Sequence, residues 1–115
     1  MNTVLIGKFG EDTAQKYLLE NGYKILKRNY RAAGGEIDII AKKGDHLSFV
    51  EVKSRADKKY GYAADAVNYP KQKKIINTAR AFLMGYTDYD TVSFDVCEIY
   101  IKDRYINYIE NAFTL

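Results

Sequence analysis

Residues 35–41, GEIDIIA, and residues 47–53, LSFVEVK, decide the fold of this chain. Both runs are rich in apolar and β-branched residues, which is typical of strands. Gly44 and Asp45 lie between the two runs and suit a two-residue type II′ turn, with the glycine at the position of positive φ. The two runs are therefore predicted to form an antiparallel hairpin around this turn.

The turn fixes the register of the hairpin, because it makes Lys43 the partner of His46. Side chains that oppose each other across two strands have Cβ atoms about 5 Å apart. This register therefore predicts which charged residues meet further from the turn. The opposed pairs are Asp38 with Glu51 and Glu36 with Lys53.

Alternation along the first run separates its charged residues from its apolar ones. Glu36 and Asp38 are predicted to point to one face of the strand. On the second run, the acid and the lysine of the EVK triplet share a face in the same way. The other face of the first run is predicted to carry Ile37, Ile39 and Ala41.

The opposed acids, Asp38 and Glu51, are the candidate site. Two carboxylates at this distance repel each other unless one holds a proton or a cation lies between them. Carboxylate oxygens are the ligands that Mg²⁺ and Mn²⁺ prefer, and the ammonium group of Lys53 adds a fixed positive charge beside them. This set suits a metal ion acting on a phosphodiester. The alternative is an ordinary hairpin with a solvated polar face.

The same residues carry a resemblance to known nucleases. Asp38 followed by Glu51-Val52-Lys53 resembles the active-site signature of the PD-(D/E)xK nuclease superfamily. The longer runs, residues 34–38 and residues 49–55, are similar to the YraN-like family, small bacterial proteins described as candidate endonucleases. That family in turn resembles archaeal-type Holliday-junction resolvases.

The resemblance implies a restriction-endonuclease-like core and a metal-dependent endonuclease that hydrolyses phosphodiester bonds in DNA, including branched or damaged DNA. It implies Mg²⁺ or Mn²⁺ as the cofactor. One alternative is a nucleic-acid-binding module of the same fold without independent catalysis. Another is a small scaffold protein whose tyrosine-rich surface binds protein.

A third acid joins this group through the first helix, which is predicted over residues 3–20. Glu11 shares a stripe of that helix with Ala14 and Leu18, so it is expected to face the body of the protein. The run GKFGE at residues 7–11 matches the N-terminal motif of the family, and the resemblance implies that Glu11 joins the metal site. The competing explanation is an acid favoured by the helix dipole. The two glycines of the run cost about 1 kcal/mol each in helix propensity, which indicates a close approach there.

Positive charge is concentrated after the candidate lysine. Residues 53–80 hold eight basic and two acidic residues. By comparison, residues 1–52 hold eight basic and seven acidic residues, and residues 81–115 hold two basic and six acidic residues. A polyanionic substrate needs such a block beside the site, although a charge run is also typical of a solvated helix face. The candidate nucleic-acid-binding residues are Arg31, Arg55, Lys58, Lys59, Lys71, Gln72 and Lys74.

These candidates rest on different grounds. Arg31 lies beside a glycine loop and either grips a phosphate or faces solvent. The loop at residues 56–64 mixes lysines with tyrosines, which suits phosphate attraction and base stacking but also suits a loop packed on the domain. Arg55 completes the family pattern after the lysine. The resemblance implies that Gln72 lies near the active site, where it orients water or phosphate. It is otherwise a helix-edge residue.

The remaining elements complete an α/β fold. A second helix is predicted over residues 68–84, and strands are predicted over residues 23–30, 92–99 and 105–110. The element order α-β-β-β-α-β-β indicates a mixed central sheet flanked by helices. The fourth strand is expected to enter the sheet by a crossover through the second helix. At 115 residues, the chain is predicted to form a single domain.

Composition excludes several classes of function. With one cysteine and one histidine, the chain cannot form a disulfide framework, a zinc finger or a Ser-His-Asp hydrolase site of the usual kind. No run suits a signal peptide or a membrane span, so we expect a cytoplasmic protein without a membrane partner. The expected partner is nucleic acid, and DNA is expected rather than RNA. A homodimer would allow such a small nuclease to handle two strands.

Overall fold

Helices and strands follow the order that the sequence predicts. The computed structural model describes residues 3–55 and 67–114. Within these ranges it has two helices and five strands, so the predicted mixed α/β class is confirmed. The elements are α1 (Thr3–Glu20), β1 (Lys24–Ala32), β2 (Gly35–Lys43), β3 (His46–Arg55), α2 (Tyr69–Leu83), β4 (Thr91–Tyr100) and β5 (Tyr105–Phe113).

The five strands form one sheet in the order β1-β2-β3-β4-β5. Neighbouring strands run antiparallel except β3 and β4, which are parallel. Parallel neighbours need a crossover connection, and α2 lies between these two strands in the chain. The predicted crossover through the second helix is therefore confirmed.

Both helices have local sequence signals at their ends. The helix α1 ends before Gly22, whose φ is 86°, and the N–H of Tyr23 donates to the carbonyl of Leu18 across 2.9 Å. At the start of α2, the side chain of Asn68 accepts a hydrogen bond from the N–H of Lys71 across 3.0 Å. These contacts satisfy backbone groups that a helix end otherwise leaves unpaired.

The central hairpin forms around the predicted turn. Lys43 pairs with His46, and the same register continues as far as Ile39 and Val50. Gly44 takes a φ of 59° in the turn, as a type II′ turn requires of its first central residue. The predicted register is confirmed over this part of the hairpin.

Further from the turn, the backbone ladder ends before the predicted pairs are reached. The β2–β3 ladder of the described residues does not include Asp38 with Glu51 or Glu36 with Lys53. Instead, Oδ2 of Asp38 accepts a hydrogen bond from the N–H of Val52 across 2.8 Å. A side-chain carboxylate thus replaces backbone pairing at the point where the two strands stop forming a ladder.

Each helix covers its own face of the sheet. We call the buried cluster under α1 the α1 core; its members are Ala14, Leu18, Ile39, Ala41, Val50, Cys97 and Ile99. We call the cluster under α2 the α2 core; its members are Ile37, Ile40, Leu47, Phe49, Val67, Ile75, Ala79, Phe82, Phe94, Val96 and Phe113. Among the described residues, no helix combines the length and apolar character that a membrane crossing requires.

The strand β2 changes faces partway along its length, so the predicted alternation is wrong at one point. Ile37 belongs to the α2 core, whereas Ile39 belongs to the α1 core. Asn29 lies between Arg28 and Tyr30, the β1 partners of Ile39 and Ile37, and its φ of 50° is in the left-handed region. A left-handed residue interrupts the regular pleat of a strand, so that side chains on either side of it point to different faces.

The strand β1 changes faces at the same level. Nη1 of Arg28 donates to Oε1 of Gln15 in α1 across 3.0 Å. Tyr30, two residues on, packs edge to face with Phe82 of α2, with ring centroids 5.4 Å apart. Asn29 separates these two residues, so the edge strand and its neighbour exchange faces together.

Two glycines let the helices approach the sheet closely. A Cβ atom on Gly10 of α1 would overlap with Oγ of Ser54 on β3. A Cβ atom on Gly35 of β2 would lie 2.9 Å from the carbonyl oxygen of Lys74 in α2. The close approach predicted for the glycines of α1 is thus confirmed at Gly10, but it is wrong at Gly7, where a Cβ atom would meet nothing within 4 Å.

The last strand is longer than predicted. The alternation of polar and apolar residues predicts a strand over residues 105–110, whereas β5 spans Tyr105–Phe113. Its last residue is buried in the α2 core. Asn111 takes a φ of 52°, and its N–H donates to Oδ1 of the buried Asp95 across 3.1 Å. This irregularity breaks the alternating pattern, which is why the sequence did not indicate the end of the strand.

Candidate active site

A cleft of about 620 Å³ lies where the start of β2 and the end of β3 meet both helices. Four of the described lining residues are carboxylic acids and three are lysines. A concave site with several converging polar groups is the usual form of a binding or catalytic site. The described lining residues are Ile6, Gly7, Glu11, Gly35, Glu36, Asp38, Glu51, Val52, Lys53, Ser54, Lys71, Lys74 and Ile75.

Asp38 enters the cleft from β2, at the point where the strand changes faces. Its Oδ2 accepts from the N–H of Val52, which fixes the carboxylate against β3. Burial raises the pKa of Asp38, the hydrogen bond from Val52 lowers it, and the charges of Glu11 and Glu36 raise it further. The carboxylate therefore lies within the field of two other acids.

Glu51 enters the same cleft from β3 and is almost completely buried, at 6% exposure. Oε2 of Glu51 lies 3.4 Å from Nζ of Lys71. Its other oxygen, Oε1, is buried without a hydrogen-bond partner among the described residues. Burial raises the pKa of Glu51, the charge of Asp38 raises it further, and Lys71 offsets part of this effect.

The donor set fits a hard divalent cation. Carboxylate oxygens suit Mg²⁺ and Mn²⁺, and the unpartnered Oε1 of Glu51 is an oxygen that such an ion would satisfy. In the described part of the chain, no three Asp, Glu, His or Cys side chains already stand as a ready-made metal cluster.

Glu11 reaches the cleft from α1. Its Oε1 accepts a hydrogen bond from Nδ2 of Asn29 across 2.9 Å and lies 3.5 Å from Nη2 of Arg28. Its side chain is 23% exposed, so it lies at the edge of the protein interior. The predicted stripe is also observed, because Ala14 and Leu18 on the same side of α1 are fully buried.

Three lysines line the cleft from two elements. Lys53 on β3 is exposed and lies two residues after Glu51. Lys71 and Lys74 come from the first turns of α2, and both are exposed. Lys71, predicted to contact nucleic acid, also forms the ion pair with Glu51, so it neutralises part of the charge of the acidic pair.

Two predicted nucleic-acid contacts point elsewhere. Nε2 of Gln72 donates to the carbonyl oxygen of Val67 across 2.9 Å, so this side chain does not line the cleft. Nε of Arg55 lies 3.2 Å from Oε2 of the buried Glu98, in an ion pair whose arginine side chain is 10% exposed. Gln72 therefore contacts the backbone just before α2, and its role in orienting water or phosphate stays a prediction.

Arg31 lies beside the cleft without lining it. Its side chain is 78% exposed, and its Nε lies 3.5 Å from Oε2 of Glu36. A shallow depression next to the cleft is lined by Arg31 and shares Gly35 and Glu36 with it. Lys58 and Lys59 fall outside the described residues.

Sequence reasoning missed Asn29. The predicted first strand includes this residue without assigning it a role, but its Nδ2 donates both to Glu11 and to Oε1 of Glu36, the latter across 3.2 Å. Asn tolerates the left-handed region better than other residues with a Cβ, so an asparagine inside a strand pattern was the available signal. That signal indicates an irregular backbone, but it does not predict which side chains the asparagine contacts.

The fold and the cleft define a mixed α/β protein with an acidic candidate site flanked by lysines. The chain belongs to the family described as "Uncharacterised protein family UPF0102", whose sequence model matches residues 10–99. This is the YraN-like family that the runs around Asp38 and Glu51 indicated, so the prediction is confirmed at the level of the family. Membership of the nuclease superfamily stays a prediction.

Similar proteins from several bacteria align over almost the whole chain. A UPF0102 protein of Clostridioides difficile (strain 630) is 48% identical over 114 residues, covering 98% of this chain and 100% of that protein. A UPF0102 protein of Herminiimonas arsenicoxydans is 44% identical, covering 94% and 86%. One from Clostridium acetobutylicum is 44% identical, covering 95% and 93%. These names give the family and no activity.

Proposed function

We propose that this protein is a metal-dependent nuclease that hydrolyses phosphodiester bonds in DNA. The observation that carries the proposal is that Asp38 and Glu51 line one cleft together with Lys53. Burying two carboxylates side by side is unfavourable unless a cation compensates their charge. Oε1 of Glu51, which is buried without a hydrogen-bond partner in the described part of the chain, supports a site for such a cation.

Each residue of the cleft has a role that its chemistry supports. Asp38 and Glu51 would hold the ion, and Glu11 would complete its shell directly or through water. The ammonium group of Lys53 would position the attacking water and stabilise negative charge on the phosphate. A bound Mg²⁺ or Mn²⁺ would supply Lewis-acid stabilisation of the phosphate and activation of that water.

Charge around the cleft supports a polyanionic substrate. Lys71 and Lys74 extend from the same cleft on the exposed side of α2, and Arg31 lies beside it with most of its side chain in solvent. Exposed cations along one side of an acidic site attract the phosphate backbone of a nucleic acid. DNA is the proposed substrate, with branched or damaged forms included.

Isothermal titration of the purified protein with Mn²⁺ tests the metal site without requiring the substrate. We expect saturable binding to the wild-type protein and loss of this binding in Asp38→Asn. Asp88→Asn is the matched control, because Asp88 is exposed and lies outside the described lining of the cleft. A wild-type protein that binds no Mn²⁺ would contradict the proposal.

Cleavage assays test the reaction. Duplex, single-stranded, flapped and four-way DNA are incubated with Mg²⁺ or Mn²⁺, and we expect cleavage that Lys53→Ala abolishes while Mn²⁺ affinity and the melting temperature stay unchanged. Lys102→Ala removes an exposed lysine from the β4–β5 turn and serves as the control. Equal cleavage by wild-type protein and Lys53→Ala would show that the nuclease activity comes from elsewhere.

The Lys71–Glu51 ion pair favours a second candidate, a nucleic-acid-binding module without independent catalysis. An ammonium group 3.4 Å from Glu51 already compensates part of the charge that a metal ion would compensate. This candidate predicts DNA binding that weakens with salt and does not change with Mn²⁺. Binding measured with and without the metal therefore separates the two functions.

A further inference from the structure

Asn29 joins two acidic side chains at the edge of the cleft. Its Nδ2 donates to Oε1 of Glu11 across 2.9 Å and to Oε1 of Glu36 across 3.2 Å. Glu11 belongs to α1, whereas Glu36 belongs to β2. One amide group of β1 therefore links a helix and the hairpin. The charges of the two acids that it contacts both raise the pKa of Asp38.

The backbone of Asn29 is adapted to this contact. Its φ of 50° lies in the left-handed region, which costs most residues about 1 kcal/mol or more. At this residue β1 changes faces, and the side chain reaches the same side of the sheet as α1. Strain of this kind persists where surrounding contacts require it, and it is concentrated at functional sites.

We propose that Asn29 is a positioning residue that holds the carboxylate of Glu11 toward the metal site; this inference rests on the proposed nuclease function. Asn29 and Arg28 both contact Glu11 through Oε1. Because both contacts go to Oε1, they leave Oε2 of Glu11 available to an ion or to its water. Groups that orient metal ligands in this way typically change metal affinity 10- to 100-fold when they are removed.

A purely structural role for Asn29 makes a different prediction. If its amide only tied α1 to the sheet, its loss would lower stability and leave metal binding unchanged. Arg28 supplies a separate tie, because its Nη2 lies 3.0 Å from Oδ1 of Asp12 and its Nη1 donates to Gln15. The helix should therefore stay docked when Asn29 is replaced.

The variant that tests the proposal is Asn29→Gly. Glycine accepts a positive φ without strain, so the substitution removes the amide and keeps the backbone. We expect about a tenfold weaker Mn²⁺ affinity in isothermal titration. Asn29→Ser is the second variant, since it shortens the side chain beyond reach of Glu11 while keeping a Cβ atom, and it should show the same loss.

The matched control is Asn111→Gly. Asn111 is also an asparagine with a φ near 50°, namely 52°, but it lies on β5 outside the described lining of the cleft. It should bind Mn²⁺ with the wild-type affinity. Melting curves of all variants show whether any loss of affinity comes from partial unfolding.

A double-mutant cycle with Glu11→Gln decides whether Asn29 acts through Glu11. If it does, Asn29→Gly should change Mn²⁺ affinity about tenfold in the wild-type background and not at all in the Glu11→Gln background. Wild-type affinity in Asn29→Gly, or an equal loss in both backgrounds, would overturn the inference while leaving the proposed function standing. Absence of Mn²⁺ binding to the wild-type protein would overturn both.

Discussion

Glu51 places stability and the proposed function in opposition. Its side chain is 8% exposed, it lies beside a second carboxylate, and one of its oxygens has no partner among the described residues. Burial and the charge of Asp38 both raise the pKa of Glu51, which means that its charged form is disfavoured in the metal-free fold. A cation would remove this disadvantage.

Glu51→Gln is therefore expected to stabilise the metal-free protein. The neutral amide keeps the shape of the side chain and removes the buried negative charge, with an expected gain of about 1 kcal/mol. For a chain of this size the melting temperature should rise by about 5 °C. The measurement is a thermal melt in chelator.

Adding Mn²⁺ should make the wild-type protein melt at a higher temperature than Glu51→Gln. Only the wild-type protein is expected to bind the ion tightly, so saturating Mn²⁺ should raise its melting temperature and not that of Glu51→Gln. Glu110→Gln, at an exposed acid of β5, is the control and should behave as wild type. A Glu51→Gln protein that melts below wild type in chelator would contradict this account.

At the scale of residues, the sequence predicted the acids better than their surroundings. The strand pattern and the turn placed Asp38 and Glu51 on adjacent strands, because alternation and turn type act locally. The contacts of Gln72 and Asn29 could not be predicted in this way. They depend on a helix start and a left-handed backbone that bring together residues distant in sequence.

Close contact between α1 and the sheet is an element-scale feature that brings Glu11 to the cleft. Gly10 lies against Ser54 and one residue before Glu11, so there is no room for a side chain at that position. Gly7, one turn earlier on the same helix, has open space where a Cβ atom would be. The two glycines therefore provide a matched pair for mutagenesis.

Gly10→Ala is expected to destabilise the fold by roughly 1–3 kcal/mol, because the added methyl group overlaps with Ser54. Gly7→Ala should be neutral or stabilise by up to about 1 kcal/mol, since alanine favours the helix and meets no neighbour. Urea denaturation of both variants measures the difference. Ser54→Ala in the Gly10→Ala background should recover part of the loss, and no recovery would show that the clash lies elsewhere.

The extent of the elements followed from local signals, and their irregularities did not. The helix α1 spans the predicted residues because Gly22 ends it, and Asn68 marks the start of α2. The end of the β2–β3 ladder and the last residues of β5 were missed. In both places a side-chain carboxylate, Asp38 or Asp95, accepts a backbone hydrogen bond, and a sequence pattern does not show this.

Charge is distributed unevenly over the whole molecule, and α2 shows this most clearly. Lys74 lines the cleft, whereas its neighbour Lys73 lies on the outer face of the helix, with Nζ 4.7 Å from the ring centroid of Tyr69. Both lysines are exposed. A nucleic acid bound along the cleft would contact the first lysine and not the second.

Salt dependence of DNA binding tests this arrangement. With Mn²⁺ omitted to prevent cleavage, Lys74→Ala should reduce the slope of log K against log salt by about one, because each phosphate contact contributes close to one released counterion. Lys73→Ala should leave the slope unchanged. Fluorescence anisotropy with a labelled duplex gives both values, and equal effects of the two substitutions would place the DNA elsewhere.

The change of faces along β2 has a practical consequence for watching the protein assemble. Ile37 and Ile39 are only two positions apart, yet each touches a different half of the interior. Their methyl groups, labelled with ¹³C and followed by NMR during refolding, would report separately on the arrival of α2 and of α1. Two labelled residues of one short segment thus allow the docking rates of the two helices to be measured separately.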